Sequence, residues 1–159
     1  MKKFSAQYSH SGFTLIELLV VISIIGILAT LISANLNSAR SRARDAQRKS
    51  DLRSIETALR LYYNDTGSYP TNNVSGEIMG NAGGAKVDWG SVWAVGGTTY
   101  ISKLPKDPLD GQLYKYEANS ATDTYTLSAC LENKSDASGV VTADASWCPS
   151  LVQFQINQQ

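Results

Sequence analysis

Apolar and polar positions divide this chain into an apolar run, a periodic stretch and a mixed remainder. Residues 13–34 form the apolar run, in which Glu17 is the only charged side chain. The run has 22 residues, and a helix of that length rises about 33 Å, enough to cross the hydrocarbon core of a bilayer. The pattern therefore predicts a membrane-spanning helix over 13–34.

The second part has the periodicity of an amphipathic helix. Residues 35–63 contain no proline or glycine and are rich in good helix formers. Apolar residues recur along one helix face at Leu52, Ile55, Leu59 and Tyr62. We expect the helix to continue as a stem over 35–64, and to end where Gly67 and Pro70 follow.

The remainder, residues 65–159, is predicted to be a globular head. Its first part, 67–98, is rich in glycine and small polar residues and is expected to be a loop region with a short element near 87–95. Residues 113–117 and 124–130 alternate in β-favouring types, which predicts an antiparallel meander. The expected fold is α+β, with a long N-terminal helix packed on a small antiparallel sheet.

Charge is unevenly distributed, although the formal net charge is zero. Residues 40–60 carry a net charge of +4, and residues 61–159 carry −5. A solvated helix face explains any single arginine of the stem. The set as a whole also supports a second hypothesis, in which the basic stem of one copy attracts the acidic head of another. Such attraction is screened over about 8–10 Å at moderate salt.

The start of the apolar run carries the most specific motif. Residues 11–21 read Ser-Gly-Phe-Thr-Leu-Ile-Glu-Leu-Leu-Val-Val, which resembles the class III leader junction of type IV pilins and type II secretion pseudopilins. The resemblance implies that residues 1–12 are a leader peptide. It implies that a prepilin peptidase cuts after Gly12 and methylates the new amine of Phe13.

Glu17 matches the family's assembly glutamate. The resemblance implies that its partner is the terminal amine of a neighbouring subunit. A charge at the centre of a membrane helix costs about 2.5–3.5 kcal/mol on insertion scales, and somewhat less near the end. Such an acid is tolerated when it is paired. A secretory signal peptide and an ordinary single-pass anchor are the alternatives, but neither explains the motif around Glu17.

A second resemblance lies in the head. Residues 104–116 read Leu-Pro-Lys-Asp-Pro-Leu-Asp-Gly-Gln-Leu-Tyr-Lys-Tyr, similar to a region of the major, G-type, secretion pseudopilins. Those proteins then carry an acidic, glycine-rich loop that binds calcium. This chain instead has a Cys-bounded loop, residues 130–148, which resembles that of type IV pilins and implies a disulfide between Cys130 and Cys148.

The acids of the Cys-bounded loop are sparse for a hard-cation site, which needs several converging oxygens. They are Glu132, Asp136 and Asp144. We therefore expect no metal or cofactor, with calcium as the alternative. The N-terminal two thirds of the chain favour a secretion pseudopilin and the last third favours a type IV pilin.

Residue types that catalysis requires are scarce. His10 is the only histidine and lies in the leader, so the mature chain has no histidine-based triad. Two cysteines without histidine make a poor zinc set, and turn chemistry explains Asp107 and Asp110. We therefore expect that this chain is not an enzyme. The three tryptophans are expected to pack in the head: Trp89, Trp93 and Trp147.

The resemblance thus implies a structural subunit of a pilus-like filament, which polymerises through its N-terminal helix. A type II secretion pseudopilus and a type IV pilus rank nearly level, and a DNA-uptake pseudopilin ranks third because the head is acidic. The implied partners are copies of this chain, the peptidase, an inner-membrane assembly platform, minor pilins or pseudopilins, and membrane lipid before assembly. The alternative from another class is a membrane-anchored binding module that does not polymerise.

The expected topology requires a choice between two signals. Only Lys2 and Lys3 precede the apolar run, whereas five basic residues follow within fifteen positions, which on the positive-inside rule places the head in the cytoplasm. The resemblance implies a single-pass inner-membrane protein with its head outside, and later a periplasmic or extracellular filament. Two cysteines in the head fit an oxidising compartment, and we expect export.

Overall fold

The structure is a computed structural model that describes residues 12–80 and 84–158. Residues 1–11 of the expected leader lie outside the described residues. The chain forms two compact units, Met1–Ala39 and Arg40–Gln159. One α-helix, α1, spans Leu15–Thr66.

The N-terminal unit contains the apolar part of α1. The large apolar side chains between Phe13 and Ile32 are between 47% and 86% exposed. Among the described residues, α1 is the one helix long and apolar enough to cross a membrane. Ser23 Oγ donates to the carbonyl of Leu19 and Thr30 Oγ1 to that of Ile27, so both hydroxyls are satisfied within the helix. This unit therefore has apolar surface that only lipid or another protein can cover.

The end of α1 follows the sequence prediction closely. Gly67 adopts a φ of 76°, the left-handed conformation that glycine supplies at helix ends. Its N–H donates to the carbonyl of Tyr63 at 2.8 Å. The predicted apolar stripe is buried: Leu52, Ile55 and Leu59 are fully buried and Tyr62 is 6% exposed.

The head contains two small antiparallel sheets. The first pairs β1 (Trp93–Val95) with β2 (Thr98–Ile101). The second has the order β3-β4-β6-β5. Its strands are β3 (Lys115–Asn119), β4 (Thr124–Cys130), β5 (Val140–Val141) and β6 (Val152–Gln158). The α+β fold class is confirmed.

An aromatic core fills the space around the buried stripe. The large apolar side chains of β3 and β4 are buried, with Tyr116 and Leu127 fully so. Tyr62 stacks on Trp93 with ring centroids 5.4 Å apart, and Trp93 is fully buried. The prediction that this tryptophan packs in the head is confirmed. The hydroxyl of Tyr116 donates to the carbonyl of Pro70 at 2.7 Å, which satisfies it inside the core.

Two parts of the head differ from the sequence prediction. The strand expected at 113–117 begins at Lys115, because Leu113 lies before the ladder and its carbonyl accepts the Trp147 indole N–H. No strand was expected over Val152–Gln158, yet β6 lies between β4 and β5. Its alternation of Val152, Phe154 and Ile156 with polar residues is the signal that could have found it.

Candidate functional site

The start of α1 is a capping box built by Thr14 and Glu17. Thr14 precedes the helix, and both its N–H and its hydroxyl donate to the Glu17 Oε2 at 2.8 Å. The Glu17 N–H donates back to Thr14 Oγ1 at 3.2 Å. This reciprocal pattern satisfies backbone donors that a helix start otherwise leaves free.

The expected processing site lies directly before the capping box. Gly12 and Phe13 lie before the helix, and Phe13 is 86% exposed. The Glu17 carboxylate keeps acceptor capacity beyond the two bonds from Thr14, because a carboxylate has about four lone-pair sites. It can therefore accept an additional cationic donor. The sequence spacing Thr-x-x-Glu carries the signal for this capping box.

A second polar centre lies in the head, around Arg48. Arg48 is 1% exposed and its guanidinium donates to the Asp107 carboxylate through two bonds of 2.8 and 2.9 Å. It also donates to Asp45 at 2.7 Å and to Glu132 at 2.8 Å. Burial by itself lowers the pKa of Arg48, but the bonds to Asp107 and Glu132 outweigh it and raise that pKa above its ordinary value.

The expectation that any single stem arginine is solvated is wrong for Arg48. Arg48 lies on the face of α1 that packs on the head. There its guanidinium donates to three carboxylates instead of to water. The turn reading of Asp107 is confirmed, since its Oδ1 accepts the N–H of Leu109 at 2.8 Å. That reading missed the second role of Asp107, because Arg48 lies 59 residues away in sequence.

Four residues on two successive turns of α1 bind the Cys-bounded loop. We call them the stem clasp: Arg44, Asp45, Arg48 and Lys49. Asp45 accepts the backbone N–H groups of Glu132 and Asn133 at 2.9 and 2.8 Å. The expected disulfide between Cys130 and Cys148 is present, with Cα atoms 5.2 Å apart. The basic stem and acidic head thus pair within one chain at these positions.

Two family models match this chain. A family model for the prokaryotic N-terminal methylation motif matches residues 8–33. A model for protein G of the type II secretion system matches residues 35–144. The chain belongs to the type II secretion system protein G family.

Individual relatives support this family assignment. A type II secretion system core protein G from Aeromonas hydrophila is 40% identical over 99 residues, 62% of this chain and 67% of the relative. The protein of that name from Pseudomonas aeruginosa is 36% identical over 127 residues, 76% and 84% of the two chains. That from Vibrio cholerae is 34% identical over 132 residues, 81% and 85%. No solved structure matches the chain significantly.

Membership in the protein G family decides between the two leading interpretations of the sequence. The last third of the chain favoured a type IV pilin because of the Cys-bounded loop. The protein G match nevertheless continues to residue 144 and includes most of that loop. The disulfide is therefore a feature of this member of the protein G family, and the chain is a pseudopilin.

Proposed function

We propose that this chain polymerises, after cleavage and methylation, into the shaft of a type II secretion pseudopilus. The observation that carries the proposal is the uncovered apolar segment of α1, which begins with a capped carboxylate in a chain of the protein G family. Once the segment leaves the bilayer, burial among copies of itself keeps it out of water, a contact that costs about 25 cal/mol for each Å² of apolar surface. Before assembly the bilayer covers it.

Processing takes place between Gly12 and Phe13. The peptidase needs access to a peptide bond, and these two residues precede the first helical turn. The cut creates a terminal amine on Phe13, which the same enzyme methylates. Methylation to a secondary amine keeps the positive charge, so the new end of one subunit remains a cationic partner for a carboxylate.

Assembly pairs Glu17 of one subunit with the Phe13 amine of the next. The capping box supports this role because Thr14 holds one carboxylate oxygen and leaves acceptor capacity on the group. The pair fixes the axial offset between neighbours, since only one offset neutralises both charges. In a low-dielectric surrounding, a wrong offset leaves two uncompensated charges.

Mutation of Glu17 tests the assembly proposal. We expect Glu17→Ala to insert into the membrane normally and to form no filaments, as seen by fractionation and by electron microscopy of sheared material. Ser23→Ala, a change in the same apolar segment, is the matched control and retains assembly. Filaments of normal length and number from Glu17→Ala would contradict the pairing role of Glu17, and a wild-type chain that forms no filaments would favour the non-polymerising module.

Mass spectrometry of the native N-terminus tests the processing proposal independently. The expected mature chain begins at Phe13 and is heavier by one methyl group at that residue. A mature chain with the leader still attached, or with a different first residue, would remove the basis for the amine partner of Glu17.

The proposed location follows from the same reasoning. The chain spans the inner membrane once, with the head outside the cytoplasm, and then enters a periplasmic filament. Its other partners are the inner-membrane assembly platform and minor pseudopilins. The proposed role is structural and needs no catalytic residue.

A further inference from the structure

The Cys-bounded loop is the place where the G-type resemblance implies a calcium ion. We propose that in this chain the stem clasp replaces that ion, so that fixed cations of α1 and the disulfide hold the loop without metal. The residues in the loop do not fit a calcium ion, because its acids are engaged one by one with other partners and do not converge.

Asp136 is engaged at both carboxylate oxygens. Its Oδ2 accepts the Lys49 ammonium at 2.6 Å. Its Oδ1 accepts the N–H and hydroxyl of Ser138 at 2.9 and 2.6 Å. Lys49 and Asp136 are both about four-fifths buried, at 22% and 19% side-chain exposure. A lysine ammonium therefore occupies the position from which a cation would neutralise this acid.

Glu132 is engaged in the same way by arginine. Arg44 donates to both of its oxygens through a fork of 2.7 and 2.6 Å, and Arg48 adds a third bond at 2.8 Å. The fork from Arg44 holds the pKa of Glu132 below its ordinary value, with Arg48 acting in the same direction. Two guanidinium groups therefore already balance the negative charge of this carboxylate without a metal ion.

The far end of the loop is held from the sheet side. Asp144 accepts the Ser146 hydroxyl at 2.6 Å and the Trp147 N–H at 3.1 Å, and Lys115 lies 3.9 Å from its other oxygen. The Trp147 indole donates to the carbonyl of Leu113 at 2.9 Å. Cys148 then closes the loop on Cys130.

A calcium ion needs six to eight oxygen ligands around one point. Among residues 12–80 and 84–158, no group of three or more histidine, cysteine, aspartate or glutamate side chains is arranged to hold a metal. Glu132, Asp136 and Asp144 instead face Arg44, Lys49 and Lys115 respectively. The charges of Glu132 and Asp136 are already balanced by these cations, so a divalent ion would have to displace them. Lys115 lies closer to Glu117, at 3.1 Å, than to Asp144.

Thermal melting of the full chain in detergent tests this proposal. All three tryptophans lie in the head, so their fluorescence reports head unfolding even though the membrane segment is present. We expect the same melting temperature in millimolar CaCl2 and in EDTA. A rise with calcium, or a fall with EDTA, of several degrees would overturn the proposal.

Substitution of Lys49 tests whether the stem clasp stabilises the head. We expect Lys49→Gln to lower the melting temperature of the head by about 2–5 °C, in calcium and EDTA alike. Arg53→Gln on an exposed face of the same helix is the matched control and leaves the melting temperature unchanged. A Lys49→Gln head as stable as the wild type would contradict the role of the stem clasp.

Terbium luminescence provides a test that does not depend on stability. Trp147 lies next to Asp144, so a terbium ion in the loop would be excited through this indole. We expect no saturable emission from the wild-type chain. Saturable emission that calcium displaces would show a metal site in the loop and would overturn the proposal.

Discussion

Arg48 has the most consequential single side chain in the head. It is surrounded by Asp45, Asp107 and Glu132, and the first two are as buried as the guanidinium itself. It connects α1 to the turn at Asp107 and to the start of the Cys-bounded loop. Removal of one member of a buried ion cluster leaves the other charges without compensation.

We therefore predict that Arg48→Met destabilises the head by about 3–5 kcal/mol, although methionine fills much of the space. Urea unfolding followed by tryptophan fluorescence measures this loss. Arg53→Met is the matched control, since Arg53 is exposed, and surface substitutions of this kind usually change the free energy of unfolding by less than about 0.5 kcal/mol. Equal losses in the two variants would mean that the buried cluster contributes nothing specific.

At the other end of the chain, Thr14 caps the helix that begins at Leu15. We predict that Thr14→Ala costs the first turn of α1 about 1 kcal/mol, because the N-cap hydroxyl is lost, whereas Thr14→Ser retains the bond. Amide hydrogen exchange in micelles measures the effect at the first helical residues. Protection that is unchanged in Thr14→Ala, relative to Thr14→Ser, would show that the capping box does not hold the helix start.

At the scale of elements, the Cys-bounded loop contains an ion pair whose contribution to stability depends on pH. The Lys49 ammonium, together with Ser138, lowers the pKa of Asp136 to about 2. An aspartate in an unfolded chain has a pKa of about 3.9. The ion pair therefore contributes its full stability above about pH 4, and loses it as the pH falls towards 2.

A comparison of the wild type with Asp136→Asn measures this contribution. We predict that the difference in melting temperature is constant above about pH 4 and shrinks below it. A difference that grows as the pH falls has the wrong sign for a depressed carboxyl pKa and would contradict the assignment.

Local sequence patterns predicted the elements in which a periodic pattern of apolar residues continues over many positions. The stripe from Leu52 to Tyr62 and the whole of β4 follow from spacing alone. By contrast, β1 has three residues in a glycine-rich segment, where the sequence predicted a short element near 87–95 but not its type. Two of the three carboxylate partners of Arg48 lie 59 and 84 residues away. Nothing local distinguishes a buried arginine from its exposed neighbours, so only the packing of the head could reveal the cluster.

For the whole molecule, internal pairing changes which charges remain available for contacts between subunits. The stem clasp uses Arg44, Arg48 and Lys49 within the chain. Arg40, Arg42 and Arg53 are exposed, and none of the three forms a salt bridge among the described residues. These three arginines are the ones we expect to face acids of a neighbouring copy.

We predict that rising salt shortens or dissolves the filaments, because the screening length falls from about 10 Å at 0.1 M to about 3 Å at 1 M salt. Quantitative sedimentation across a salt series measures this. The double variant Arg42→Gln/Arg53→Gln is expected to form weaker filaments with a flatter salt dependence. Wild-type filaments that are indifferent to salt would rule out charge attraction as a contributor.

The position of β6 has a consequence for how the protein is made. This strand is formed by Val152–Gln158, yet it lies inside the sheet and separates β4 from β5. The sheet cannot close until the ribosome has synthesised these residues, about 120 positions after the membrane segment. The anchor is therefore available for insertion long before the head can fold. During that interval the four-stranded sheet is incomplete, which suits the export of the head that we propose.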